Sequence, residues 1–369
     1  MAQVTEVRGA FDAEAIIRPA VRALPVYTRE EPAAGRTPVV RLDWNESPYG
    51  PSPKARAALA SFDAFHRYPE IDAITLRRAL GRYVGAPAER VVVGAGLDDV
   101  LNTLAALLID PGDRVVISEP TFGVYRPLFT LHGADVLDVP LAADFSLDAD
   151  AVVAAADPRT KLVVVCNPNN PTGNLFPREA VERVIAGVGC LVAIDEAYAE
   201  FAGVAHLPLM DRFPNVAVLR TLSKFAGLAG MRVGYGVFPA SLMPRLLAVM
   251  PAFGNVGAAS AAAAIASLDD LDVLDGVVAR IVADRDRLAS VLRRIPGVEP
   301  YPSRTNFLLV RLPVPSSAPV VARLATDGVQ VRHFGRPDLV DCLRVTVGTP
   351  EENRLFVQAL TAALEGTAA

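Results

Sequence analysis

Arg90-Val-Val-Val-Gly-Ala-Gly-Leu-Asp-Asp-Val-Leu-Asn-Thr-Leu-Ala-Ala-Leu-Leu-Ile109 sets a β-branched run, a glycine turn and an apolar helical stretch end to end. The run over 90–93 reads as a short buried strand and 100–109 as a helix, with Gly94-Ala-Gly-Leu-Asp-Asp99 opening it. The same unit recurs on both sides. An amphipathic helix over 71–84 precedes it; a strand over 114–117 and a helix over 121–131 follow. Further strands fall at 162–165, 191–194 and 216–219, with a helix over 178–186. Short apolar strands alternating with helices predict an α/β fold with a mostly parallel sheet flanked by helices. In such sheets ligands bind beyond the carboxyl ends of the strands, so the loops that follow strands are where chemistry is expected.

Past residue 270 the pattern changes. A long charged helix over 271–294 is followed by a strand at 306–311, a helix at 320–326, strands at 329–332 and 342–347, and a last helix from Pro350. This predicts a smaller α+β domain over 271–369, a large domain over 41–270, and an N-terminal arm over 1–40 with one short helix. A net charge of −5 and a pI near 5.5 argue against nucleic acid as a partner. Cys166, Cys190 and Cys342 are scattered and odd in number, which points away from a disulfide framework and towards a reducing cytoplasm. No His/Cys spacing suits a metal. The alanine-rich stretch 253–268 is too short and too interrupted to span a membrane, and the acidic N-terminus is no secretory signal.

Five segments carry chemical signals. In Thr221-Leu-Ser-Lys-Phe-Ala-Gly-Leu-Ala-Gly-Met-Arg232, Lys224 is one of three lysines in the chain. An amine between hydroxyls and a guanidinium suits an aldehyde that carries a phosphate; alone, the segment reads equally as a small-residue turn. Gly94–Asp99 can cradle a phosphate at a helix N-terminus or be a tight turn only. Cys166-Asn-Pro-Asn-Asn170-Pro-Thr-Gly173 constrains the backbone strongly, either to aim Asn170 at a phenolic oxygen or as a double turn. In Ala193-Ile-Asp-Glu-Ala-Tyr198, a strand-end Asp195 needs a cation such as a protonated pyridine nitrogen, with Tyr198 near that ring's hydroxyl; a helix-capping aspartate is the other option. Arg344, mid-strand among apolar residues, needs an anion from a substrate or from a structural carboxylate.

Taken in order, Asn-Pro-x-Asn-Pro-Thr-Gly, Asp-Glu-Ala-Tyr, Ser-Lys with an arginine eight residues later, and Leu-Arg-Val-Thr-Val-Gly resemble the pyridoxal-phosphate-dependent fold-type I aminotransferases, from about Ile17 to the C-terminus. Arg18-Pro, Leu24-Pro-Val-Tyr27, Asn45-Glu-Ser-Pro-Tyr-Gly-Pro and His66-Arg-Tyr68-Pro-Glu make the chain most similar to the histidinol-phosphate aminotransferase family. Aromatic aminotransferases and threonine-phosphate decarboxylases share much of that pattern. The resemblance implies pyridoxal 5'-phosphate as cofactor and Lys224 as its Schiff-base lysine. It puts Asp195 on the ring nitrogen, Asn170 and Tyr198 on the ring hydroxyl, and Phe122 against the ring. The phosphate would fall to Leu97, Asp98, Thr221, Ser223 and Arg232, with Tyr68 arriving from the other subunit of a homodimer. Tyr27, Asn45, Asn170, Arg332 and Arg344 would receive the substrates, histidinol phosphate and 2-oxoglutarate, in a ping-pong reaction of histidine biosynthesis. Two departures stand out. Leu97 replaces a usual Ala or Ser, leaving only its backbone N–H; Phe122 replaces a frequent Tyr.

Overall fold

The computed structural model describes residues 12–22, 40–251 and 255–367. Its strands are β1 (Val40–Arg41), β2 (Val91–Ala95), β3 (Arg114–Ile117), β4 (Asp135–Asp138), β5 (Thr160–Cys166), β6 (Leu191–Asp195), β7 (Val216–Thr221), β8 (Val233–Val237), β9 (Glu299–Pro300), β10 (Phe307–Arg311), β11 (Val329–Gln330), β12 (Arg332–His333) and β13 (Cys342–Thr346). Seven form one sheet in the order β2-β8-β7-β6-β5-β3-β4. All pairings in it are parallel except the two made by β8.

Side chains alternate across a strand, and this sheet buries both faces. Val91, Val93, Val163, Val165, Val192, Ile194, Val216 and Val218 pack into one core. Val92, Leu162, Val164, Leu191, Ala193, Ala217 and Leu219 pack into the other. Near-continuous β-branched runs are what such two-sided burial requires, which is why the strands were readable. A second sheet, β12-β13-β10-β9, is antiparallel and covers its own apolar cluster. Helix Leu271–Leu292 contributes Leu274 and Ile281 to the first core and Leu288, Ala289 and Leu292 to that of the small sheet, so one rod joins both.

Several expectations need correction. The predicted strand at 329–332 is two strands in two sheets: β11 pairs in parallel with β1, and β12 pairs with β13. Val40 and Leu42 therefore pack with the small sheet's core. Apolar alternation says which side a residue faces but not which strand lies beside it. The helix after the glycine turn begins at Leu97, not at residue 100, and that after β3 begins at Tyr125, not at 121, leaving Thr121 and Phe122 in the loop. The helix expected from Ile71 starts at Ile74. The arm has two four-residue helices, Ala13–Ile16 and Pro19–Arg22, where one was expected. β4 and β8 were not anticipated; β8 reads Val-Gly-Tyr-Gly-Val, and glycines weaken a strand signal. The alanine stretch forms helix Ala258–Leu268, with Ala263 and Ala264 fully buried. Among the described residues no helix is long and apolar enough to cross a membrane.

Candidate active site

The carboxyl ends of β2, β5, β6 and β7 meet at one edge of the large sheet, and antiparallel β8 starts there. Reversing that single strand delivers Arg232, the residue before it, to the edge where the others finish. A cavity of about 680 Å³ opens above this edge, and the small sheet closes its far side with Arg332, Phe334 and Arg344.

Asp195, the last residue of β6, is 2% exposed. Its Oδ2 accepts from the Tyr125 hydroxyl at 2.5 Å and its Oδ1 from the Ala197 N–H at 3.0 Å. Burial pushes the carboxyl up to about 6 against those hydrogen bonds. The next residue has the opposite surroundings. Glu196 accepts from Arg220 Nε at 2.7 Å and from His206 Nδ1 at 2.7 Å. Burial would raise its pKa, but His206 and Arg220 together hold it below the usual carboxylate range.

Lys224 Nζ donates to the Trp44 carbonyl at 2.9 Å. Burial, and then the charges of Arg344 and Arg232, lower its ammonium pKa to about 8. Beside it Thr221 Oγ1 donates to Ser223 Oγ at 2.9 Å. Leu97 and Asp98 open helix Leu97–Leu108, where first-turn amides have no partner within the helix. Arg232, at φ 52°, reaches Asp98 Oδ2 at 3.3 Å. Gly96 has φ 88°, and a Cβ there would lie 2.3 Å from Arg232 Nη2; one on Gly234 would lie 2.3 Å from the Leu97 amide nitrogen. Both glycines hold open a close-packed cup of amides, hydroxyls and one guanidinium.

The Asn-Pro segment divides its labour. Asn167 and Asn169 tie loops together, Asn167 to the backbone of Phe176 and Asn169 to the Pro120 carbonyl and Thr172. Asn170 faces the cavity: its Nδ2 donates to the Tyr198 hydroxyl at 3.4 Å, and its Oδ1 accepts from Arg344 Nη1 at 2.6 Å. Asn45 also donates to Tyr198, at 2.9 Å, and is held at φ 55° by Thr346 and Asn306. Arg344 donates further to the Asp43 carbonyl at 2.6 Å and lies over the Phe307 and Phe334 rings. Arg332 is its cross-strand neighbour. Phe122 lines the same cavity, edge-on to Tyr125.

Residues 37–360 match the family model described as aminotransferase class I and II. The chain belongs to this aminotransferase family. Among curated relatives, histidinol-phosphate aminotransferase of Roseiflexus castenholzii is 42% identical over 362 residues, covering 94% of this chain and 97% of that protein. That of Dehalococcoides mccartyi is 36% identical over 322 residues, 87% and 89% of the two chains. The crystal structure of histidinol-phosphate aminotransferase from Sinorhizobium meliloti in complex with pyridoxal-5'-phosphate superposes with a TM-score of 0.89 at 30% identity, over 97% of this chain and 99% of that one.

This aminotransferase therefore gathers Asn45, Leu97, Asp98, Phe122, Asn170, Asp195, Tyr198, Thr221, Ser223, Lys224, Arg232, Arg332 and Arg344 around one cavity. Tyr68 does not line it and is 79% exposed. Tyr27 lies outside the described residues. Sequence reading passed over other residues at the site. Tyr125, buried behind the lining, binds Asp195 from the helix Tyr125–Leu131. Glu119 pairs with Arg336 across the mouth, and Asp43 lies beside Arg344. Each owes its place to tertiary contact and left no local signal in the sequence.

Proposed function

We propose that the chain transfers an amino group between L-histidinol phosphate and 2-oxoglutarate with pyridoxal 5'-phosphate as cofactor. The observation that carries the cofactor reading is Asp195: a buried carboxylate whose partners among the described residues are a hydroxyl and an amide, in the same cavity as an amine whose pKa is lowered. A protonated ring nitrogen would be the counter-charge that Asp195 calls for. The cup of Leu97 and Asp98 amides, Thr221, Ser223 and Arg232 has the donor set for a phosphate dianion, and Tyr198 with Asn170 would meet the ring hydroxyl. Bound there, the cofactor supplies an electron-poor ring that takes up charge from the substrate α-carbon.

The chain's own residues do the rest. Asp195 keeps the ring nitrogen protonated. Lys224, its ammonium pKa lowered to about 8, would be the base that takes a proton from the substrate α-carbon and hands it on. Arg344 and Arg332 present two guanidinium forks that accept either a phosphate or a carboxylate. Two substrates with different anionic ends can thus use the pocket in turn, as a ping-pong order demands. The names of the relatives, and the phosphate that replaces an α-carboxylate in histidinol phosphate, support that amino donor.

We also propose a homodimer. Phe65, Tyr68 and Ile71 are 76%, 79% and 67% exposed on one short segment, three large side chains that a second copy would cover. Tyr68 would then enter the partner's phosphate cup. Mixing Lys224→Ala with Tyr68→Ala protein restores activity if sites are shared between chains, and restores none if each chain has a complete site.

Mixing the holoenzyme with histidinol phosphate, phenylalanine, threonine phosphate or glutamate, while following cofactor absorbance, tests the substrate. Conversion by histidinol phosphate and glutamate is expected. Conversion by phenylalanine with none by histidinol phosphate overturns the donor assignment, and release of CO₂ from threonine phosphate overturns the reaction type.

A further inference from the structure

Asp43 lines the cavity and is 8% exposed. Its Oδ1 is sealed from solvent and has no hydrogen-bond partner. Its Oδ2 accepts no hydrogen bond among the described residues and is not sealed, so it is the oxygen that a ligand in the cavity can reach. Buried polar groups are seldom left this way unless something else supplies the donor.

The neighbours show where that donor would come from. The Asp43 carbonyl accepts from Arg344 Nη2, the Trp44 carbonyl from Lys224 Nζ, and the Asn45 amide donates to Tyr198. Three consecutive residues therefore touch the arginine offered for the substrate anion, the amine at the reacting carbon, and the tyrosine at the cofactor ring. The Asp43 side chain belongs to the stretch between the first two. A donor held by its anion at Arg344 and by its amino carbon at Lys224 has one part left to place, its side chain.

We propose that Asp43 is a specificity-determining residue whose carboxylate accepts a hydrogen bond from the N–H of the amino donor's imidazole ring. A carboxylate is an acceptor only, so it favours a ring that offers N–H and disfavours a phenyl ring or a second carboxylate. With Arg344 adjacent, the wall sorts the two ends of a substrate by charge: anion to the guanidinium, N–H to the carboxylate. The assignment rests on the histidinol-phosphate reading above.

The test compares single-turnover conversion of the holoenzyme by L-histidinol phosphate and by L-phenylalaninol phosphate, which has the same amine and phosphate but no ring N–H. Wild type should prefer the imidazole by at least about tenfold, and Asp43→Leu, which removes the acceptor, should shrink that preference by about tenfold or more. A preference unchanged in Asp43→Leu overturns the role of Asp43. Should that variant fail to fold, ring-N-methylated histidinol phosphates on wild type give the same answer: slower conversion by about tenfold supports the assignment, and equal conversion overturns it. If wild type converts no histidinol phosphate at all, the substrate reading itself falls and takes this one with it.

Discussion

The end of β6 sets two carboxylates side by side in opposite circumstances. Glu196 turns into a closed set of partners, His206 and Arg220, and is charged, saturated and inert. Asp195 turns into the cavity, where a hydroxyl and one amide are its partners among the described residues, and burial raises its pKa to about 6. Sequence position differs by one residue; the difference in role comes from which face of the strand each leaves. A protein neutralises the carboxylate that holds it together and leaves unsatisfied the one reserved for a ligand.

The comparison breaks most visibly at Asp195. Asp195→Asn should cut kcat/KM at least about a thousandfold, since an amide cannot hold a ring nitrogen protonated. In the cofactor-free protein the same change should stabilise. Asp195's folded pKa lies above its ordinary value, so its favourable contribution is complete below that ordinary value and is lost as pH rises through about 6. At pH 7.5 removing the charge gains on the order of 1–3 kcal/mol, read as a higher midpoint of thermal unfolding. A drop in stability would mean the two carboxylates are not the opposites described here.

Glu196→Ala should do the reverse. Breaking a buried pair leaves Arg220 with the more distant Glu200, at 3.7 Å, at a cost of about 3–5 kcal/mol. Because Glu196's pKa is held below the ordinary value, its contribution is present above that value and lost as pH falls. Urea midpoints at pH 5 and 7.5 check both the size and the sign.

A finer probe is Tyr125→Phe, which removes one of Asp195's two hydrogen bonds. Activity should fall about tenfold, and the acid limb of the pH–rate profile should move up, since that bond lowers the carboxyl's pKa. The smallest expected effect concerns Lys224. Capture of pyridoxal phosphate by cofactor-free protein should rise with pH to a midpoint near 8, where an ordinary lysine would give 10.5. Mass spectrometry of borohydride-trapped protein measures it.

How much of this was legible in the sequence follows the same divide. Asp195, Lys224, Asn170 and the glycine turn sit at strand ends or within four residues of them, so local pattern announces both their element and their address. Tyr125 and Asp43 have no such signal; their meaning depends on residues seventy and three hundred positions away, Asp195 and Arg344. β8 was hidden by its glycines, yet Gly234 is what lets the Leu97 amide approach. The run at 329–332 has the right polarity for one strand and is split because β1 takes its first half and β13 its last.

That split has a consequence for how the molecule comes into being. During synthesis Val40 and Arg41 leave the ribosome early, but their partners, Val329 and Gln330, are made almost three hundred residues later. Domains generally fold as they emerge, so the large sheet can be complete while β1 still lacks a neighbour and Asp43 to Asn45 lack their anchors at Arg344, Thr346 and Asn306. The wall formed by Asp43 to Asn45 is thus completed only after residue 346 has been made. A nascent chain arrested before residue 329 should already have its seven-stranded sheet and the Lys224 segment, with no means yet of choosing what Lys224 meets.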